Sequence, residues 1–360
     1  MKRKLTIVTV GLLITSGVIF FFNSQIRSTG EHENTDRKDK SLQLAKKNTP
    51  FKSSKGRRHI SAWFRYMNEN SIKELTPQSD IISSISIFGK PTPQFITRCR
   101  KLNIETYLLV SGNASAFATP QGGHATIQSY LKQCHETGVD GIDLDFENLD
   151  ASLQDRYSTF LKELSLQLHL IGKKLSICVG FYAPMYKRPP EKLFYDPKVV
   201  GETCDMICVM CYDMYWAPGK GIGPTSTKPW AEDAMEFWLK HVRREKLIMG
   251  LPAYSNDYDL TAGAKGKQMI SPQPVLPESA GFERFWLPYE QIHTYRYLDD
   301  EGHVHLFFAS DASSTGAHLA TVDELDIPGI AFWHYQAVTP QMWETVRDWH
   351  QRALQHKDGG

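Results

Sequence analysis

From residue 59 onward the chain alternates short apolar stretches with longer amphipathic ones. Eight of the short stretches have the composition of strands; they lie near His59–Tyr66, Ile81–Phe88, Glu105–Ser111, Gly141–Glu147, Leu175–Tyr182, Met206–Asp213, Leu247–Ala253 and Gly329–His334. Helical patterns such as Ala125–Thr137 and Ala151–Leu170 lie between most of them, and glycine follows each of these two as a stop signal. Eight repeated βα units predict a (β/α)₈ TIM barrel, with functional residues at the carboxyl ends of its strands.

The stretch between the predicted seventh and eighth strands, at about 255–310, is longer than a simple loop. Phe282–Tyr289 is rich in aromatic residues, and Tyr295–Leu298 followed by Asp299–Gly302 and His303–Phe308 has the pattern of a hairpin. We therefore expect a small α+β insertion. It is equally suited to forming one wall of a substrate cleft and to a purely structural role.

The N-terminus has the pattern of an export signal. Lys2, Arg3 and Lys4 precede an apolar run from Leu5 to Phe22 that is nearly long enough to span a bilayer. No small-x-small cleavage pattern follows, so we favour an uncleaved signal anchor over a cleaved signal peptide at 1–23. The basic flank places the rest of the chain outside the cytoplasm, attached to the membrane. Cleavage would instead give a secreted or periplasmic protein.

The remaining boundaries follow from composition. Residues 24–57 are polar and charged and are expected to be a linker, residues 58–350 to form the barrel with its insertion, and residues 351–360 to be a tail. The net charge of +1 gives no reason to expect a nucleic-acid partner. The sequence carries no signal for the oligomeric state.

The six cysteines do not have the spacing of a zinc site. Cys204, Cys208 and Cys211 lie on or beside an apolar strand and are expected to be small buried residues rather than metal ligands. Cys99 and Cys134 form the one pair worth testing for a disulfide. No metal or organic cofactor is predicted.

The predicted fourth strand carries the strongest chemical signal. Side chains alternate along a strand, so Asp143, Asp145 and Glu147 share one face while Leu144 and Phe146 share the other. Neighbouring carboxylates repel each other, which raises the pKa of at least one of them and suits acid–base catalysis near neutral pH. A solvated acidic face leaves the alternate hydrophobes unexplained.

A calcium-binding loop is the other alternative for this acidic run. Counted from Asp143, such a loop needs glycine at its sixth position and glutamate at its twelfth, where this chain has Asn148 and Gln154. Catalysis is therefore the favoured interpretation.

At these residues the chain resembles glycoside hydrolase family 18, the chitinase-like family, whose fourth strand carries Asp-x-x-Asp-x-Asp-x-Glu. Asp140, Asp143, Asp145 and Glu147 complete that motif. The resemblance implies that Glu147 is the general acid, that Asp145 orients the acetamido group of the substrate and that Asp143 modulates the charge of Asp145. Asp140 is then mainly structural. In this family the substrate supplies the nucleophile.

Other motifs extend the resemblance over roughly Ile60 to Tyr335. Met210-Cys-Tyr212-Asp213 matches the end of the family's sixth strand, where the tyrosine hydroxyl binds the acetamido oxygen; Trp333 matches the apolar floor under the sugar. Met210, Asp213 and Tyr254 are further expected substrate contacts. His334 and Gln336 depart from the acidic residues often found after this tryptophan.

The resemblance is stronger to the bacterial spore-cortex and cell-wall N-acetylglucosaminidase branch, because of Asp311–Ser314 and His303. It implies a retaining glycosidase that hydrolyses β-1,4 bonds after N-acetylglucosamine in chitin oligomers, peptidoglycan or N-linked glycans. The alternative is an inactive carbohydrate-binding relative, although such proteins generally lack the glutamate that Glu147 matches. A structural anchor would leave the acidic strand unexplained.

Overall fold

A computed structural model describes residues 58–65, 67, 70–180, 193–219, 221–271, 273 and 281–355. Its strands are β1 (His59–Phe64), β2 (Ser84–Ile87), β3 (Glu105–Ser111), β4 (Gly141–Asp145), β5 (Lys174–Val179), β6 (Met206–Met210), β7 (Leu247–Pro252), β8 (Ser255–Asp259), β9 (Lys265–Met269), β10 (Phe282–Leu287), β11 (Ile292–Leu298), β12 (Val304–Phe308) and β13 (Gly329–Trp333). Eight of them close into a parallel barrel in the order β1-β13-β7-β6-β5-β4-β3-β2. The predicted barrel is therefore confirmed, and β13 is its eighth strand.

Helices surround the barrel; they are α1 (Ser71–Leu75), α2 (Pro93–Lys101), α3 (Pro120–Thr137), α4 (Gln154–Leu170), α5 (Pro197–Thr203), α6 (Lys228–Leu239), α7 (Ala312–Glu324) and α8 (Pro340–Gln355). Several begin with a capping side chain followed at once by proline, as at Thr92 before α2 and Thr119 before α3. The capping oxygen accepts a free backbone N–H, and proline fits the first helical position because it has no N–H to satisfy. Gly138 ends α3 with a φ of 77°, as the sequence predicts.

The barrel has two apolar layers. Helices pack around the outside through a large buried cluster that includes Leu144 and Phe146 of the β4 segment. A smaller cluster fills the inside, with members Trp63, Tyr107, Leu109, Cys178, Met206, Cys208, Tyr212, Ile248 and Ala331. Alternation along the strands sends successive residues to these two layers.

Barrel closure requires close approach of β1 and β13. A Cβ atom on Gly329 would lie 1.8 Å from the carbonyl oxygen of His59, so no larger residue fits there without moving the backbone. Gly329 is therefore part of the seam at which the barrel closes.

The insertion between β7 and α7 is a five-stranded sheet in the order β10-β11-β12-β8-β9. Its strands occupy residues 255–308, close to the expected range, and β11 and β12 form the expected hairpin with Leu298 opposite Val304. All of its neighbouring strands are antiparallel. Within the described part of the insertion we find strands and turns, where the sequence suggested an α+β unit.

The structure also bears on one boundary and on the cysteines. The barrel was expected to end at 350, but α8 continues to Gln355. All six cysteines are free and buried, so the candidate pair Cys99 and Cys134 forms no disulfide, whereas the expected burial of Cys204, Cys208 and Cys211 is confirmed.

The predicted N-terminal segment (1–23) and linker (24–57) lie outside the described residues. In the portion that is described, none of the helices has the length and apolar character needed to cross a membrane.

Candidate active site

The carboxyl groups predicted from the sequence lie at the carboxyl end of β4. Asp143 is buried inside the barrel and Asp145 is the last residue of the strand. The strand ends two residues earlier than predicted, so Glu147 lies in the loop that follows, where its side chain reaches solvent. Leu144 and Phe146 are buried on the opposite side, so the alternation continues past the end of the strand.

Asp143 is held by donors from neighbouring strands. The indole N–H of Trp63 donates to its Oδ2 at 2.9 Å, and the thiol of Cys178 donates to the same oxygen at 3.7 Å. Burial raises the pKa of Asp143, while the hydrogen bonds from Trp63 and Cys178 oppose that rise. The arrangement stabilises a carboxylate at a depth where an isolated charge would be costly.

Asp145 lies between the other two carboxyl groups of the column, Asp143 and Glu147. Burial, followed by the negative charges of Glu147 and Asp143, raises its pKa to about 7. Its Oδ1 is buried and has no hydrogen-bond partner within the described residues. Asp145 can therefore hold a proton near neutral pH, and it presents an acceptor that a bound ligand could satisfy.

Glu147 lies across the site from Asp213. Although solvent reaches Glu147, the walls of the cleft remove part of its hydration, and this desolvation raises its pKa; the charge of Asp213 raises the pKa further. A carboxyl group shifted in this direction stays protonated closer to neutral pH, as a general acid requires.

Asp213 is fixed by two donors from different parts of the chain. The hydroxyl of Tyr254 donates to its Oδ1 at 2.5 Å, and Nε2 of Gln268 in the insertion donates to the same oxygen at 3.1 Å. Its φ of 58° is in the left-handed region, where aspartate is among the better tolerated residues. Tyr254 is predicted from the sequence to contact substrate; what the structure shows is that its hydroxyl positions Asp213.

Tyr212 and Trp333 form an aromatic surface beside the carboxyl groups. Their rings lie 6.4 Å apart at an angle of 19°, and Trp63 packs on both with its edge. Met210 contacts the same inner cluster. The hydroxyl of Tyr212 makes no hydrogen bond within the described part of the chain, and burial raises the pKa of this group well above its usual range, so it remains a donor.

Asp140, the first acidic residue of the motif, directly precedes β4 and bonds to β3. Its Oδ2 accepts from the backbone N–H of Thr106 at 2.9 Å and from its hydroxyl at 3.0 Å, which joins β3 to β4. Two residues that bond the carboxyl groups of the site were not predicted from the sequence: Trp63 and Gln268. The available signal for Trp63 was a tryptophan within the first predicted barrel strand, His59–Tyr66.

The site combines protonatable carboxyl groups of raised pKa with an aromatic floor and a free phenolic donor. Among the described residues, no group of three or more histidine, cysteine, aspartate or glutamate side chains could hold a metal ion. These groups lie at the carboxyl ends of barrel strands, where TIM-barrel enzymes carry their active sites, and they have the chemistry that acid–base catalysis needs.

Comparison with known proteins assigns the family. The family model described as glycosyl hydrolases family 18 matches residues 27–337. The chain therefore belongs to glycosyl hydrolases family 18 and is a glycoside hydrolase. This confirms the resemblance that the sequence motifs indicated.

Two curated relatives come from Bacillus subtilis (strain 168). The cortical fragment-lytic enzyme is 26% identical over 230 residues, which cover 62% of this chain and 52% of that protein, so the match spans about half the length of that relative. The uncharacterized glycosylase YvbX is 24% identical over 286 residues, covering 72% of this chain and 79% of that protein.

Solved structures share the fold. The chitinase from Chromobacterium violaceum ATCC 12472 has a TM-score of 0.72 at 19% identity, with 81% of this chain and 98% of that chain covered. The spore cortex-lytic enzyme SleL of Bacillus megaterium QM B1551 has a TM-score of 0.69 at 17% identity, with 83% and 76% covered.

Proposed function

We propose that this glycosidase hydrolyses β-1,4 bonds that follow N-acetylglucosamine in fragments of bacterial peptidoglycan, with retention of configuration and with the acetamido group of the substrate as nucleophile. The names of the relatives support the substrate, since two of them are described as lytic for cortical fragments or spore cortex. The residues Asp311–Ser314 and His303 also support placing the chain in the spore-cortex and cell-wall branch of the family.

In this proposal Glu147 protonates the glycosidic oxygen as the bond from that oxygen to the anomeric carbon breaks. The acetamido oxygen forms a new bond to the anomeric carbon, giving an oxazolinium ion. Water then opens the ring, and Glu147 takes the proton that this water loses. Tyr212 donates to the acetamido oxygen, and Trp333 supports the sugar ring.

The observation that carries the proposal is the open Oδ1 of Asp145. An acetamido N–H can donate to this oxygen, which would turn the acetamido oxygen toward the anomeric carbon. Burial and the charges of Glu147 and Asp143 raise the pKa of Asp145 to about 7. Near neutral pH part of this group is therefore protonated, which suits hydrogen bonding to the acetamido group better than nucleophilic attack.

The test is digestion of peptidoglycan fragments and chitin oligomers side by side, with mass spectrometry of the products and NMR of the first anomer released. We expect peptidoglycan fragments ending in reducing N-acetylglucosamine, with the β anomer first, and no release by Glu147→Gln. De-N-acetylated substrate should not react, and a thiazoline analogue of the oxazolinium ion should inhibit competitively. Preference for chitin would overturn the substrate assignment, and a trapped glycosyl ester on any carboxylate would overturn the mechanism.

We also propose that residues 1–23 anchor the enzyme to the outer side of the cytoplasmic membrane. The basic residues Lys2–Lys4, the apolar run Leu5–Phe22 and the missing cleavage pattern support this location. Full-length protein should remain in the membrane fraction after carbonate extraction. A soluble form that begins after residue 22 would contradict the anchor.

A further inference from the structure

The outer edge of the insertion sheet carries an unusual group of side chains. β10 is an edge strand, and Phe282 and Trp286 on it are 50% and 38% exposed. Between them lies Arg284, and the paired strand β11 places His293 and Tyr295 on the same face. We call Phe282, Arg284, Trp286, His293 and Tyr295 the aromatic–arginine patch.

The strand register separates this patch from the catalytic cleft. One row of directly paired residues crosses the sheet as Gln268, Asn256, Phe308, Thr294 and Phe285. Gln268 reaches Asp213, so this row belongs to the face that meets the active site. The adjacent row contains Arg284 and Tyr295 and therefore points to the other face of the sheet.

Arg284 is held in place without being neutralised. Its guanidinium lies 5.8 Å from the ring centre of Tyr295, and Nη2 lies 2.9 Å from Nε2 of His293. It forms no ion pair with any carboxylate of the described residues. On the opposite face, in contrast, Arg296 pairs with Glu283 at 3.7 Å.

The rings around Arg284 are also ordered by contacts. Trp286 packs on His293 with ring centres 4.7 Å apart, and Phe282 packs on Tyr295 at 5.9 Å. His293 is in turn fixed by Asp311, at 2.7 Å, at the start of α7. Two exposed rings flanking a fixed guanidinium match a polymer that offers sugar faces and carboxylates, since rings stack on apolar sugar faces and a guanidinium binds a carboxylate by two parallel hydrogen bonds.

We propose that the aromatic–arginine patch is a second, non-catalytic binding surface for the carboxylate-bearing glycan of intact peptidoglycan. This inference rests on the proposed function for its choice of polymer. The patch holds the enzyme on the insoluble wall while the cleft on the other face of the insertion receives a strand end or fragment. Carboxylates of lactyl groups or stem peptides bind Arg284, and sugar rings stack on Phe282 and Trp286.

The test measures binding apart from turnover. Full-length Glu147→Gln protein in non-ionic detergent is pelleted with purified peptidoglycan, and the bound fraction is measured over a range of polymer concentrations. Adding Phe282→Ala with Trp286→Ala should weaken binding by roughly tenfold, as loss of exposed aromatic anchors does at other interfaces. Phe285→Ala is the matched control, because it removes a ring of 47% exposure from the opposite face of the same strand, and it should bind as the parent does.

Arg284→Gln separates the charge from the rings. It should weaken binding to peptidoglycan and leave binding to chitin, which has no carboxylates, unchanged. Equal losses of binding from Phe285→Ala and from the double variant would overturn the patch. So would a double variant that binds peptidoglycan as the parent does but no longer binds phosphatidylglycerol vesicles, because the patch would then be a surface for lipid and not for the wall.

A last comparison keeps the patch distinct from the catalytic proposal. With Glu147 restored, the double variant should hydrolyse soluble peptidoglycan fragments at the parental rate and insoluble peptidoglycan more slowly. An equal loss on both substrates would place the patch residues in the cleft and overturn the inference. If the parent hydrolyses neither substrate, the proposed function fails, while the pelleting result still decides whether the patch binds.

Discussion

At the residue scale, the charge on Asp213 helps to determine the pH range in which Glu147 can act as an acid. Asp213→Asn should lower the pKa of Glu147, because it removes a negative charge that raises it. The acid form is then lost at a lower pH, so the basic limb of the kcat/KM profile should move toward acid. Asparagine tolerates the left-handed backbone at this position, so the loop should keep its shape.

The control for this change is Asp300→Asn, which removes the same charge from an exposed position on the insertion. It should leave the profile unmoved. A basic limb that stays in place in Asp213→Asn, or that moves equally in both variants, would contradict the assigned coupling between Asp213 and Glu147.

Tyr212 should act mainly on the transition state. Tyr212→Phe removes a donor whose hydroxyl is otherwise unbonded, and loss of one such donor typically costs about 2.7–4 kcal/mol of barrier. We expect kcat to fall by about 10²–10³-fold with a small change in KM. Tyr289→Phe, at an exposed turn, is the control. An unchanged kcat would remove Tyr212 from the mechanism.

Sequence alone located the residues that lie on one strand or directly after it. Alternation placed Asp143 and Asp145 on one face of β4, and strand-end position placed Tyr212 and Trp333 at the barrel mouth. It could not predict the bonds that Trp63 and Gln268 make at the site, because these bonds join residues 80 and 55 positions apart. Such contacts depend on barrel closure and on how the insertion docks, and no local pattern specifies either.

At the element scale, the barrel depends on close packing of β1 against β13. Gly329→Ala would put a methyl group 1.8 Å from the carbonyl oxygen of His59, so the two strands must separate. We expect a loss of more than about 3 kcal/mol of stability, or failure to fold, because overpacking of this severity exceeds the usual range. Urea unfolding or the yield of soluble protein would measure it.

Gly281→Ala is the matched control for this glycine. Nothing lies within 4 Å of its added Cβ atom, so its stability should be unchanged or slightly higher. If Gly329→Ala were as stable as the parent, β1 and β13 could move apart at no cost, which would contradict the prediction.

The order and number of barrel strands followed from hydrophobic patterning, since each strand is a local apolar run. The ends of the strands could be predicted less well from the hydrophobic pattern. The pattern predicts that β4 ends at Glu147, whereas the strand ends at Asp145. Hydrogen bonds to β3 continue only to Asp145, whose partner is Ser111. Where a ladder ends depends on the neighbouring strand, and the sequence of one strand does not contain that information.

At the scale of the whole molecule, His318 links stability to pH. It is fully buried, and burial lowers its pKa from 6.5 to about 4. Between these values the unfolded chain binds a proton that the folded chain does not, so stability should fall as the pH falls from 6.5 to 4. The full effect is about 3 kcal/mol, from the size of the shift.

Urea unfolding at a series of pH values would check this link. His318→Gln should be less stable at pH 7, because Ser226 loses its partner, but its stability should depend less steeply on pH. His124→Gln, at an exposed position, should keep the slope of the parent. A slope that His318→Gln leaves unchanged would assign the acid sensitivity to other groups.

The six buried cysteines make it possible to measure the unfolding rate of the barrel by thiol labelling. Burial raises the pKa of Cys99 and Cys204 to about 12, and that of Cys134 to about 11, so few thiolates exist even in alkaline buffer. A thiol reagent should therefore leave the native enzyme unmodified and label it only when the barrel unfolds. At saturating reagent, the labelling rate should become independent of reagent concentration and equal the unfolding rate. Because none of the six sulfur atoms is in a disulfide bridge, the barrel can also fold without a thiol oxidase.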